Sequence, residues 1–169
     1  MTIKVKSKSF RYDVQVRWGA LKHGTLTASG KPDLEVASPP EFRGHPGVWT
    51  PEHLFVAAVN ACTMLTFLSS AARRSVGLIA YESDATGTLE DDDGILRFTC
   101  VQLRPRIVVA SHSDVEKVCA ALEEAEANCL IANSLRTAIE VEPEIAVADQ
   151  LVSESEQLVA TGPRVASGR

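Results

Sequence analysis

A mixed α+β domain is what this sequence predicts, and three observations carry the prediction. The N-terminal third alternates apolar and polar residues with a period of two. A long uncharged segment follows, with the start and stop signals of a helix. Two long β segments and a second, amphipathic helix come after it. At 169 residues the chain is long enough for one good core and short for two.

Tyr12, Val14, Val16 and Trp18 fall on one side of an extended chain, and Ile3, Val5 and Ser7 against Lys4, Lys6 and Lys8 begin the same alternation. Gly19 and Gly24 bracket a turn over residues 20–23. Leu26 and residues 34–37 make further short strands. Residues 38–49, SPPEFRGHPGVW, hold three prolines and two glycines, so they form a loop, and its length makes it a candidate functional one. Thr50-Pro51 then opens a helix: Thr caps, Pro suits the first helical position, and Glu52 complements the positive end of the dipole. The helix is expected over residues 50–74, with Arg73 and Arg74 at its C-terminal end and Gly77 beyond. Residues 54–72 carry no charge, close to membrane-spanning length. The interruptions at Asn60, Thr63, Thr66, Ser69 and Ser70 and the β-rich flanks favour instead a helix buried at the centre of a domain or of an interface.

Residues 78–89 and 95–110 read as a β-hairpin around Asp91-Asp92-Asp93-Gly94. A second helix is expected over 114–128, with Val115, Val118, Cys119 and Leu122 as its apolar stripe and Glu123, Glu124 and Glu126 on its wet side. CLIANSL, from Cys129, adds a helical turn or two. Residues 137–148 read as a last strand, with Pro143 marking an edge or a bulge. One domain is therefore expected over 1–148. Residues 149–169 form a polar extension with material for one short helix and then a frayed end.

Composition removes several function classes. A net charge of -5 leaves no bulk attraction for nucleic acid or anionic lipid, and 5% aromatics argue against a base-stacking platform. Residues 1–10 lack the apolar core of a secretion signal, so the expected address is cytoplasmic. No CxxC, no zinc-ligand spacing, no GxGxxG, no Walker A and no GxSxG occurs. His23, His45, His53 and His112 are scattered. What remains is four cysteines. Cys62 sits within the most apolar helix, and Cys129 just beyond the second helix. On chemistry alone both read first as small buried core residues. Cys100, in a strand, and Cys119, on a helix stripe, fit that reading well.

Two segments carry a sharper one. TPEHLFVAAVNACTMLTFL, residues 50–68, resembles the central motif of the OsmC/Ohr family of hydroperoxide reductases, in which a Pro-Glu pair opens the central helix and the reactive cysteine follows the glutamate by ten residues, as Cys62 follows Glu52. EEAEANCLIANSL, residues 123–135, resembles the family's second cysteine motif. The order of elements agrees over about residues 10–148. The resemblance implies an OsmC-like fold, with curved β-sheet packed on a long buried central helix, in an intertwined two-fold homodimer. It implies a peroxidatic Cys62, a resolving Cys129, an Arg–Glu pair to which Glu52 would contribute, no bound cofactor and an external lipoyl-type dithiol. Ten residues of straight helix span about 15 Å, so Glu52 and Cys62 serve one site only across a two-fold or a broken helix.

Two positions depart from the family pattern. Lys22-His23-Gly24 stands where one branch has an arginine in an Arg-x-Gly turn, and Arg43 matches an arginine of another branch. Leu130 follows Cys129 where proline is common. The chemistry asks for a cation: an unperturbed cysteine is only about 3% thiolate at neutral pH, burial lowers that further, and the departing alkoxide needs stabilising. Arg43 is favoured over Lys22 because guanidinium holds a carboxylate bidentately. Leu54, Phe55, Leu65 and Phe67 would line an apolar site suited to organic peroxides. The competing class is a stress or binding protein of the same fold without efficient peroxidase activity.

Overall fold

The computed structural model describes residues 8–148. The extension at 149–169 and the alternation at residues 3–7 lie outside them. The chain divides into two compact units, Met1–Leu54 and Phe55–Arg169.

In the first unit β1 (Gln15–Ala20), β2 (His23–Thr27) and β3 (Leu34–Ala37) form an antiparallel sheet in chain order. The period-2 alternation does produce a strand, but its apolar side is not buried: Phe10, Tyr12, Val14, Val16 and Trp18 are 65–88% exposed. The Pro/Gly loop contains a 3-10 turn, Pro40–Phe42, closed by Arg43 in the left-handed region at φ 60. Trp49 bridges to Val36 and brings the chain to the start of the helix.

Helix α1 (Pro51–Arg73) begins as its residues dictate. The Thr50 carbonyl accepts the first helical bond from Leu54 N at 3.0 Å, and the Thr50 hydroxyl accepts the His53 N–H at 3.3 Å. It ends earlier than Gly77. Ser75 adopts the left-handed conformation, φ 52, Val76 N donates to Ala71 O and Ser75 N to Ala72 O, a Schellman closure made without glycine.

In the second unit β4 (Leu78–Asp92) and β5 (Ile95–Val109) make the expected hairpin. Asp93 and Gly94 both have positive φ, 55 and 79, as a two-residue turn with right-handed strand twist requires, and Asp91 Oδ1 accepts the Gly94 N–H at 2.8 Å. A 3-10 turn, His112–Asp114, leads into α2 (Val115–Asn128). Asp114 does not cap α2 with its side chain; its carboxylate accepts from Ser111 Oγ and Lys117 Nζ. The last strand is two: β6 (Ala138–Val141) and β7 (Glu144–Val147), both parallel to β5 and separated at Glu142-Pro143. Proline cannot donate a ladder bond, and Pro105 of β5 falls opposite the same interruption, between the residues that pair with β6 and those that pair with β7.

Every second residue of β5 from Val101 to Val109 is buried. Two clusters lie along that row. Val59 of α1 packs with Val101 and Leu103; Phe67 and Ala71 of α1 pack with Ile107, Val109 and the α2 residues Val118, Ala121, Leu122 and Ala125. A Cβ on Gly87 would lie 2.5 Å from Val56 Cγ2 and 2.8 Å from the Phe98 ring, so glycine in β4 is what lets α1 close on the hairpin. Glu124 of α2 accepts from Ser70 and pairs with Arg73 and Arg74, tying the ends of the two helices together.

Two expectations are corrected. The α2 stripe runs through Val118, Ala121, Leu122 and Ala125, which leaves Cys119 exposed. Nor is α1 buried all round in this chain. Val59, Thr63, Phe67 and Ser70 point inward, while Ala58, Ala61 and Leu65 are open, Leu65 by 59%. One sheet and one helix supply a single packed face, and α1 has apolar residues for more than one.

Candidate functional site

The second unit joins the two cysteines that the sequence singles out. Cys62 is in the middle of α1, half-buried, and Cys129 is the fully buried residue at which α2 stops. Both are free thiols, and each acts on the other: the Cys129 side chain lowers the Cys62 thiol and the Cys62 side chain raises that of Cys129. The segment after α2 makes this meeting. Cys129 leaves the helix at φ -65, ψ 109, its N–H still bonded to Ala125 O at 2.9 Å. The chain then folds into the 3-10 turn Ala132–Ser134, with Asn133 N donating to Cys129 O at 2.9 Å. In that tight turn Ala132 N donates to Cys129 Sγ at 3.4 Å, and the Leu130 and Ile131 peptides lower the Cys62 thiol. Consecutive N–H groups in such a turn form an anion-binding concavity.

The two thiols are consequently pushed apart. Burial raises the Cys62 thiol, but the net displacement is downward, because the Cys129 side chain, then the Ile131 and Leu130 peptides and the Thr66 hydroxyl, favour its ionised form. The Thr66 hydroxyl donates to Cys62 O, 2.9 Å away. Cys129 moves the other way: burial pushes its thiol up and the bond to Cys62 holds the proton on it, against the opposing Ala132 N–H and Thr63 hydroxyl. Of the pair, Cys62 is the thiol pulled toward ionisation and Cys129 the one held toward its protonated form. Among the described residues, none of the groups that lower the Cys62 thiol is a cation. The departure at Leu130 matters here, since a proline at that position would have no N–H to donate.

The remaining site residues lie in the first unit. Glu52 occupies the first turn of α1, and its Oε2 is buried without a hydrogen-bond partner among the described residues. Arg43 is exposed in its strained left-handed turn. Lys22 Nζ donates to Phe42 O. Neither Arg43 nor Lys22 pairs with Glu52 among the described residues. Helix α1 is unbroken, so Glu52 and Cys62 of one chain stand a helix rise of about 15 Å apart. Of the expected apolar lining, Phe67 is fully buried against Tyr81, ring centroids 5.3 Å apart, and is a core residue instead. Phe55 stacks on Phe98 at 4.5 Å. Cys100 is half-buried in β5, its thiol pushed up by burial and then by Glu140. No cluster of His, Cys, Asp and Glu able to hold a metal occurs among the described residues.

Sequence reasoning missed the backbone donors of Leu130 and Ile131. Main-chain groups leave no residue-type signature; the one available signal was the missing proline after Cys129.

The mixed α+β fold is one that known proteins share. The family model for OsmC-like proteins matches residues 44–144, and this chain belongs to that family. Among solved structures it is similar to an OsmC-like protein of unknown function from Vibrio cholerae O1 biovar eltor, with 26% identity over 80% of this chain and 100% of that one, at a TM-score of 0.74. It also shares its fold with an organic hydroperoxide resistance protein OsmC from Legionella pneumophila, 21% identical over 83% of this chain and 100% of that one, TM-score 0.66. The organic hydroperoxide resistance protein OhrB of Bacillus subtilis has the same fold, at 23% identity over 80% and 98% of the two chains and a TM-score of 0.59. No curated protein matches the chain.

Proposed function

We propose that this protein is a thiol-dependent peroxidase that reduces organic hydroperoxides to alcohols. The observation that carries the reading is the sulfur pair, in which the Cys62 thiol is pulled down, foremost by Cys129, and the Cys129 thiol is pushed up. The Cys62 thiolate attacks the outer oxygen of the hydroperoxide; the O–O bond breaks, an alkoxide leaves and takes a proton from solvent, and Cys62 becomes a sulfenic acid. Cys129 then attacks that sulfur. Its thiol proton goes to the departing hydroxide, water leaves, and a Cys62–Cys129 disulfide remains. An external dithiol of lipoyl type reduces it. Hydroperoxide resistance is what the names of the Legionella and Bacillus proteins state.

On this reading the protein acts in the cytoplasm as a two-fold homodimer. The open apolar side of α1 and the exposed stripe from Phe10 to Trp18 support the dimer. A partner would also bring a Glu52 and a cation to each Cys62, a need expressed by the buried, unpartnered Glu52 oxygen. Arg43 is the favoured cation and Lys22 the second choice. A second reading, a stress or binding protein without efficient turnover, is favoured by one observation: among the described residues, the groups that lower the Cys62 thiol include no cation to steady a departing alkoxide.

Cumene hydroperoxide consumption by the purified chain with excess dithiothreitol separates the two. Turnover that disappears in Cys62→Ser is expected. A wild-type chain that consumes no peroxide above the background of the dithiol would leave the binding-protein reading.

A further inference from the structure

Beyond Cys62, helix α1 carries the hydroxyls of Thr63, Thr66, Ser69 and Ser70. Ser70 donates to Glu124 and Ser69 to Leu65 O. Thr63 is buried and acts on the Cys129 thiol. Thr66 is the one at Cys62: its hydroxyl donates to the Cys62 carbonyl oxygen at 2.9 Å. The peroxide chemistry set out above gives it no task. We propose that the Thr66 hydroxyl is a catalytic donor, which hydrogen-bonds the alkoxide expelled when Cys62 reduces a hydroperoxide. The inference deepens the peroxidase reading and rests on it, because it concerns a step of that reaction.

A hydroxyl bonded to the carbonyl four residues back is common in helices and is by itself a local contact. Thr66 differs from Ser69, which makes the same contact, in what it touches and what surrounds it. Its acceptor belongs to the reacting residue. The carbonyl oxygen and the sulfur of Cys62 are joined through that residue's own Cα and Cβ, so a group touching the one stands beside the other. In agreement, the Thr66 hydroxyl is among the groups that lower the Cys62 thiol. Helical side chains lean toward the N-terminus, so Thr66 covers the turn that holds Cys62. The Cβ atoms of residues four apart lie about 5–6 Å from each other. In displacement at a peroxide the sulfur, the outer oxygen and the inner oxygen share one line. The inner oxygen therefore stands one atom beyond the point of attack, and a line running along α1 toward Thr66 brings it to the hydroxyl. Room exists there: Thr66 is half-buried, not sealed in the core as Thr63 is, and Ala61 and Leu65 beside the pair are open in this chain.

The step balances as follows. The Cys62 thiolate bonds to the outer oxygen, the O–O bond breaks, and its electron pair goes to the inner oxygen. The Thr66 O–H has one proton, free to rotate, and turns from the Cys62 carbonyl to the inner oxygen as charge grows there. The alkoxide then takes a proton from solvent and leaves as the alcohol. Cys62 remains as the sulfenic acid with the outer oxygen and its hydrogen, and Thr66 keeps its own proton throughout. A donor that bonds the oxygen only once it is charged acts on the transition state rather than on the bound peroxide. Being neutral, it works without a cation in the same chain, and a cation brought by a partner would add to it.

The test follows one turnover. The reduced full chain is mixed with one equivalent of peroxide, without dithiol, and consumption is followed by stopped flow. Each rate is divided by the ionised fraction of Cys62, read from iodoacetamide labelling at the same pH. Thr66→Val keeps the shape and loses the hydroxyl; it should reduce cumene hydroperoxide about tenfold to a hundredfold more slowly. Thr66→Ser should recover most of that loss. Thr66→Ala is carried beside the valine variant and is read in the same way if valine unsettles the helix. Peracetic acid separates a donor to the leaving oxygen from a structural role. It expels acetate, an anion that needs little help, so the deficit of Thr66→Val should shrink to a small part of its size with cumene hydroperoxide. Variants without the hydroxyl that match the wild type with cumene hydroperoxide, or that are equally slow with both oxidants, overturn the inference and leave the peroxidase reading standing. A wild-type chain that consumes no cumene hydroperoxide overturns that reading, and this inference with it.

Discussion

Replacing Cys129 by alanine and by serine separates two ways in which it could act on Cys62. In the structure the Cys129 side chain is the foremost of the groups that lower the Cys62 thiol, so alanine removes a donor to the thiolate and serine retains one. A hydrogen bond to a charged group is worth about 1.5–3 kcal/mol, and 1.36 kcal/mol corresponds to one pKa unit. A thiol is a weak donor, which places the loss at the lower end, about one unit upward in Cys129→Ala. The thiolate population at a fixed pH below the Cys62 pKa then falls about tenfold. Serine, a stronger donor, should leave the value at or below that of the wild type. Cys129 is fully buried, so alanine also costs packing energy of about 1 kcal/mol, too little to unfold a typical domain. The assay is the pH dependence of iodoacetamide labelling, followed on the Cys62 peptide so that Cys100 and Cys119 do not enter. Identical profiles for the alanine and serine variants would refute the donor argument and assign the low Cys62 value to the backbone turn alone.

Truncating Phe67 to alanine should destabilise the second unit by about 3–5 kcal/mol, because the ring is fully buried in the cluster joining α1, β5 and α2; a urea midpoint close to wild type would contradict that placement. Acid should weaken the fold in a definite sense. Lys117 holds Asp114 low and Ser70 holds Glu124 low, so both contribute stability above their unfolded values of about 3.9 and 4.3 that is lost as pH falls through the folded ones. Urea titrations should show a decline below about pH 4, shallower in Asp114→Asn; an equal slope would remove Asp114 from the account. If the proposed cation assignment holds, Arg43→Ala should raise the Cys62 pKa and slow peroxide reduction about a hundredfold or more, with a smaller effect of Lys22→Ala. The opposite ranking, read from Cys62 labelling against pH, would transfer the role to Lys22.

The elements most legible in the sequence were those set by local chemistry. Thr50-Pro51 marked the start of α1, Asp93-Gly94 the hairpin, and the alternation of β5 its buried row. Long-range matters were less legible. Pro143 read as an edge or a bulge, and the chain instead breaks into two strands, because β5 carries its own proline at the facing position. Cys119 read as part of an apolar stripe, since helical spacing alone cannot say which side of a short helix meets the sheet. The site was half legible: the two cysteines stood out through their motifs, while the groups that polarise them are peptide N–H donors that no side chain announces. Glu52 with Arg43 or Lys22 stays a proposal resting on the family resemblance and on one unsatisfied oxygen.

The stripe on β1 has a consequence for the life of the newly made chain. Among the described residues β1 is an edge strand, with one side unpaired and apolar groups at every second position, the features that recruit further strands into aggregates. Arg11, Asp13, Gln15 and Arg17 are interleaved with that stripe, and charges so placed act as gatekeepers against stacking. Two arginines and an aspartate are thereby expected to keep the chain soluble during synthesis. Neutralising them should show as inclusion bodies before it shows as lost activity.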